Sequence, residues 1–176
     1  MRITGGTLRG RQVKVPHGVI RPAMDRMRES MFAVLGDLSG ASFLDIFSGS
    51  GIIALEAASR GASIIEAVEM DALKRKTLLE NVQISPVRIR CRFMAAELYV
   101  KRAQQAFDII FCDPPFDYKY KLALIEMIAA SQLIKEGSLL LLHHPSEDFP
   151  PHIGERLFIM DSREYGRSKV IFYRSI

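Results

Sequence analysis

The chain has 176 residues, of which 48% are hydrophobic and 25% charged, and a formal net charge of +4. This length and balance predict one compact globular domain with its own core and exclude an intrinsically disordered chain. No apolar run approaches the roughly 18 residues of a membrane span, and Cys91 and Cys112 show neither a disulfide framework nor metal-ligand spacing, so a reducing cytoplasm, with no membrane and no metal, is expected.

The first segment is basic. Residues 1–30 hold seven bases (Arg2, Arg9, Arg11, Lys14, Arg21, Arg26, Arg28) against two acids (Asp25, Glu29), while the other 146 residues hold 17 bases and 18 acids. Glycines, Pro16 and Pro22 interrupt it, so it reads as an extended arm, and MRITGGTLRGRQVKVP lacks the apolar stretch of a secretion signal. A basic arm before a near-neutral body suits a phosphate backbone, the plain alternative being a solvated tail.

Met24 to Leu38 is predicted to be an amphipathic helix, with Met24, Met27, Met31, Val34, Leu35 and Leu38 at three- and four-residue steps. Short apolar runs at 42–47, 63–68, 87–93, 107–112 and 138–142 then alternate with helical segments at 51–60, 71–84, 96–105 and 118–134. That alternation implies βαβ units and a mostly parallel sheet. Gly61 reads as a helix stop and Asp71 and Asp117 as helix N-caps. RLFIMDSREYGRSKVIFYRSI, two β-rich runs around Glu164-Tyr165-Gly166, predicts a closing antiparallel hairpin.

Run 42–47 passes straight into Ser48-Gly49-Ser50-Gly51 and a helix. Glycines there allow a sharp turn and close approach to a ligand, and free N–H groups at the helix start favour ligand oxygens. Glu69 ends the next strand, 18 residues after Gly51, where a carboxylate can accept hydrogen bonds from ribose hydroxyls. Gly49-Ser50-Gly51-Ile52-Ile53-Ala54 also satisfies the dinucleotide fingerprint, so a nicotinamide cofactor and a purely structural turn compete as readings.

Run 107–112 ends in Asp113-Pro114-Pro115-Phe116. Two prolines fix two φ angles and remove two N–H donors, leaving carbonyl oxygens aimed out of the loop. A carboxylate, a rigid carbonyl and an aromatic face suit a planar base with an exocyclic amine. Asp113 and the Pro114 carbonyl would accept its N–H bonds and Phe116 would stack on its ring. Arg88, Arg90 and Arg92 share one face and read as a solvated edge strand, with auxiliary RNA contact as the alternative. His143 and His144 have no partnered Cys or carboxylate at ligand spacing, His17 and His152 read as surface residues, and Cys112 reads as a packed thiol.

FLDIFSGSGIIALEAASRGA, AVEMD and FDIIFCDPPF resemble the motif set of S-adenosylmethionine-dependent amino-methyltransferases of the Rossmann-like class. RITGGTLRGRQVKVP, RPAMDRMRESMFAVL and EYGRSKVIFYR narrow the resemblance to the bacterial 16S rRNA guanine-N2 methyltransferase family, which modifies guanine-966 of the small subunit; it runs from Arg2 to about Arg174. The resemblance implies an α/β Rossmann-like fold with a mostly parallel, doubly wound sheet ending in an antiparallel hairpin. It implies a basic arm and helix at 1–38, contacting RNA and packed on an S-adenosylmethionine-binding methyltransferase domain at 39–176. It places the cofactor on Asp45, Phe47, Gly49, Gly51, Glu69, Met70, Ala95 and Ala96, with Asp45, Gly49 and Gly51 at its methionine end and Glu69 at its ribose. Asp113, Pro114 and Phe116 would hold the target guanine, and Arg9, Arg11, Arg21, Arg26 and Arg28 the RNA. The implied partner is 16S rRNA, as the small subunit or an assembly intermediate of it, met by a monomer.

Two positions depart from the pattern. Ala95 stands where related enzymes have an acid that contacts the adenine amine, leaving Glu97, one turn on, or backbone and apolar contacts to serve. His143-His144 stands where relatives tend to have Glu-His. The competing functions are a catalytically idle rRNA-binding assembly factor and a nicotinamide-dependent oxidoreductase.

Overall fold

The computed structural model describes residues 1–16, 23–148 and 155–176. The five apolar runs form parallel strands β1 (Ser42–Ile46), β2 (Ile64–Val68), β3 (Ile89–Arg92), β4 (Ile109–Cys112) and β5 (Leu139–Pro145). The tail forms the expected hairpin, β6 (Leu157–Tyr165) and β7 (Ser168–Ser175), turning at Gly166, and β7 pairs antiparallel with β5. The sheet order is β3-β2-β1-β4-β5-β7-β6. Helix α1 (Ala23–Leu35) precedes β1, and α2 (Ile52–Ser59), α3 (Arg75–Asn81), α4 (Ala96–Arg102) and α5 (Lys121–Ala130) supply the connections that parallel pairing requires.

Strands β1 and β4 are buried throughout, because helices cover both faces of the sheet. Side chains alternate between two cores. Phe43, Ile65, Ile109, Phe111 and Leu141 pack with residues of α1, α2 and α3, while Leu44, Ile46, Ile110, Cys112, Leu140 and Leu142 pack with α4 and α5. The methionine stripe does serve the core, through buried Met27 and Met31.

The chain winds outward from β1 through β2 to β3, and α4 then returns it across the sheet to β4 on the other side of β1. The switch point therefore lies between β1 and β4, and ligand crevices in such sheets form there, past the carboxyl ends of the strands.

Three local expectations differ from the structure. Asp71 accepts a hydrogen bond from the Leu73 N–H in a tight turn, and α3 begins only at Arg75 with Lys74 as its N-cap residue. Tyr120, not Asp117, precedes α5. Helix α1 stops at Leu35, with Gly36 left-handed at φ 71°. Gly61 does close α2, at φ 101°.

The first residues are folded rather than extended. Arg2 pairs with Gln12, and Ile3 and Val13 are buried in the core of α1 and α2. The Thr4 N–H and hydroxyl both donate to Glu56 Oε1, at 2.8 and 2.9 Å, and the Leu8 N–H donates to Ser59 Oγ. At the arm's far end Asn81 accepts from the Lys14 N–H and donates to the carbonyls of Lys14 and of Ser50 in the glycine loop. The arm thus follows α2 up to the edge of the switch-point crevice.

Candidate active site at the switch point

The glycine loop leaves β1 in a strained conformation. Phe47 sits at φ 66°, a left-handed value costly for a residue with a Cβ. Its ring meets Tyr118 edge-on at 5.4 Å, and the Ser48 N–H donates to the Val68 carbonyl. Gly51, at φ 82°, has no room for a Cβ, which would meet Leu78 Cδ1 at 2.6 Å; this close approach seats α2 against α3. A Cβ on Gly49 would touch little, with the Phe47 carbonyl at 4.0 Å, so the loop backbone faces open space there.

Two carboxylates flank this loop. Glu69 Oε2 accepts from the Gly49 N–H at 2.8 Å and Oε1 from the Asp71 N–H at 2.8 Å, so the acid at the end of β2 is fixed against the loop at both oxygens. Asp45, buried on β1, accepts from Ser48 Oγ at 2.6 Å and from the Ala54 N–H at 3.2 Å through Oδ2. Burial raises its carboxyl to about 7, and the nearby charges of Asp113 and Glu69 push in the same direction. A buried acid that retains its proton, beside an open backbone and a fixed second carboxylate, has the chemistry to hold a ligand carrying a cation and hydroxyls.

The Asp113-Pro114-Pro115-Phe116 loop stands directly beside it. The Asp113 N–H donates to the Ile46 carbonyl at the last residue of β1, joining the two loops across the switch point. Lys121 Nζ donates to the Phe116 carbonyl and to Asp148, both at 2.6 Å, which fixes the far end of the loop. Pro114 is buried, whereas Asp113 and Phe116 are half-buried at the crevice.

One residue set aside for want of a partner has one. His143, buried on β5, holds Asp113 Oδ1 through Nδ1 at 2.7 Å, and its ring meets that of Phe116 at 5.6 Å. The signal missed is strand register: Cys112 lies opposite Leu142, so the next residues along, Asp113 and His143, fall side by side on one face. His144 faces its own surroundings, with Nδ1 at the Pro145 carbonyl and its basicity lowered by burial.

A sequence profile described as conserved hypothetical protein 95 matches residues 1–174. The chain belongs to this family. A Bacillus subtilis relative, YlbH, is 29% identical over 99% of this chain and 98% of its own length. The ribosomal RNA small subunit methyltransferase D of Escherichia coli is 36% identical over 66% of this chain and 60% of its own. Among solved structures, the Escherichia coli protein yhhF superposes with a TM-score of 0.91, covering 99% of this chain and 97% of its own at 28% identity. The fold is thus the Rossmann-like methyltransferase fold expected of the sequence.

For this family member the remaining expected site residues fall unevenly. Met70 is 69% exposed at the rim beyond Glu69, and Ala95 and Ala96 begin α4 at the carboxyl end of β3. Glu97 is held by the Tyr118 hydroxyl, so its carboxylate is engaged inside the protein. Arg9, Arg11 and Arg26 are exposed, and none makes an ion pair among the described residues. Arg28 is a correction: it is fully buried, donating to Glu56, Asp25 and the Arg2 carbonyl, and cannot reach a phosphate. Arg21, His17 and His152 lie outside the described residues. Arg90 and Arg92 are half-exposed on edge strand β3 and pair with Glu66 of β2. Cys112 is a buried thiol, pushed far up by that burial, and inert.

Proposed function

We propose that this protein transfers a methyl group from S-adenosylmethionine to the exocyclic N2 amine of a guanine in 16S rRNA of the small ribosomal subunit, working in the cytoplasm as a monomer and without a metal. The observation that carries this is the joining of the Asp113 loop to the glycine loop across the switch point, through the bond to Ile46. On this reading, the groups proposed to hold the base stand beside those proposed to hold the cofactor.

The residues fit S-adenosylmethionine. Asp45 suits its cationic amino group, the Glu69 oxygens keep lone pairs for ribose hydroxyls, and the open backbone at Gly49 admits its methionine end. When bound, the cofactor supplies an electrophilic methyl on a sulfonium. Asp113 and the Pro114 carbonyl then take up the two N–H bonds of the guanine amine, turning its lone pair away from the ring and toward the methyl. Phe116 holds the ring plane. Orientation of this kind contributes several kcal/mol to a displacement at about 3–3.5 Å. Positive charge growing on nitrogen is met by the Asp113 carboxylate, which can also receive the proton. A paired base cannot offer N2 this way, so the target nucleotide is unstacked or looped out.

Incubation of the purified chain with labelled S-adenosylmethionine and 16S rRNA from cells lacking the protein tests this reading. Label is expected in N2-methylguanine at one nucleotide. RNA binding without label would favour the idle assembly factor instead. Stabilisation by NAD but not by S-adenosylmethionine would favour the oxidoreductase.

A further inference from the structure

We infer that His143 is a positioning residue for base methylation, a role that rests on the function proposed above. It orients two of the groups that frame the target base, Asp113 and Phe116. An ionised carboxylate only accepts hydrogen bonds, so Nδ1 of His143 must carry the proton in the 2.7 Å contact with Asp113 Oδ1. Oδ1 is thereby committed to the protein, and Oδ2 has no partner among the described residues. The pairing selects one Asp113 rotamer and leaves one oxygen for an incoming amine.

The same imidazole braces Phe116. Its ring lies edge-to-face with the phenyl ring at 5.6 Å and 64°. One side chain, supported on β5, therefore fixes both the acceptor and the stacking face. His143 is 3% exposed and its Nε2 is buried with no partner among the described residues. The Nδ1–H tautomer makes that atom a bare acceptor, less costly to bury than an unpaired N–H. A histidine kept for packing alone would have no need of a charged partner at the rim of a crevice. Here the ring gives up hydrogen bonding at Nε2 while holding Asp113 with Nδ1.

The test compares His143→Asn, whose amide can place an N–H near the position of Nδ1, with His143→Leu, which cannot. For the full chain acting on 16S rRNA, His143→Leu is expected to lower kcat about tenfold or more with KM for S-adenosylmethionine unchanged. His143→Asn is expected to recover most of that loss. Full kcat in His143→Leu, or equal loss in both variants at equal Tm, overturns the inference. Should either variant fail to fold, the imidazole ¹⁵N shifts of the wild-type protein decide it. A protonated Nδ1 supports the pairing, and a neutral ring protonated at Nε2 overturns it. Absence of label from wild-type protein would instead count against the proposed function, which the ring shifts do not test.

Discussion

Asp45 is a single buried carboxyl whose titration ties stability to pH and, in the proposed function, to cofactor binding. Its native value of about 7 lies well above the ordinary 3.8, chiefly because burial disfavours the charged form. A group whose pKa is raised by folding contributes stability that is fully present below its unfolded value and is lost as pH rises through its folded value. The ligand-free protein is therefore expected to lose stability between about pH 4 and about pH 7, by up to about 4 kcal/mol from this residue. Asp45→Asn keeps an oxygen for Ser48 and Ala54, and is expected to flatten that part of the Tm-versus-pH curve. An ammonium of the cofactor seated on Asp45, as proposed, would reverse the preference, so affinity measured calorimetrically should rise from about pH 6 to about pH 7.5 in wild type and not in Asp45→Asn. At the neighbouring loop the expectation is different. Asp113→Ala should abolish methyl transfer and leave S-adenosylmethionine binding within a few fold, because in the proposed complex the carboxylate faces the base. Transfer assays on 16S rRNA with parallel calorimetry separate the two effects.

The elements were legible to different degrees. Strands β1, β4 and β5 stood out because central parallel strands need apolar residues on both faces, and FLDIF, IIFC and LLLL supply them. The glycine loop and Asp113 loop were legible as well, since their backbone demands are written in Gly and Pro. Long-range pairing was not. Nothing local in the sequence says that β5 lies beside β4, so the Asp113–His143 contact stayed hidden, as did the clamp of Asn81 on Lys14 and Ser50. Arg28 is the instructive case. Its charge counted toward a basic arm, yet it lies one helical turn before buried Phe32, and α2 holds one acid, Glu56, in the apolar run IIALEAAS. A carboxylate in such a helix needs a cation, and Arg28 and Arg60 provide it. Arg28→Met is accordingly expected to destabilise the fold by about 3 kcal/mol or more, as it leaves buried Glu56 partly unpaired. Arg26→Met, one face away and exposed, is expected to stay within about 0.5 kcal/mol while weakening RNA binding. Chemical denaturation beside a filter-binding titration distinguishes them.

Across the whole molecule, charge and architecture converge on one edge. The positive surplus of the sequence lies in residues 1–30, and the folded arm carries part of it along α2 to Lys14, which Asn81 joins to the glycine loop. Arg9 and Arg11 project from that arm without ion pairs among the described residues, so their charge is available to a partner. If they contact phosphates, each contact releases condensed counterions, and affinity for single-stranded RNA falls with log salt at a slope of about −0.7 per contact. Replacing both with Glu should therefore weaken RNA binding and make the slope shallower by about 1.4. Stability should change little, because the arm is held by Ile3, Val13 and the bonds to Glu56 and Ser59, none of which involves these two side chains. Affinity for S-adenosylmethionine should also hold, since Asp45, Glu69 and the glycine loop are built on the sheet. Binding isotherms over a salt series, with calorimetry on the same samples, check all three expectations. An unchanged slope with normal methylation would make the arm a brace for α2 and move RNA recognition to the half-exposed arginines of β3 or to the aromatic rings around Tyr118.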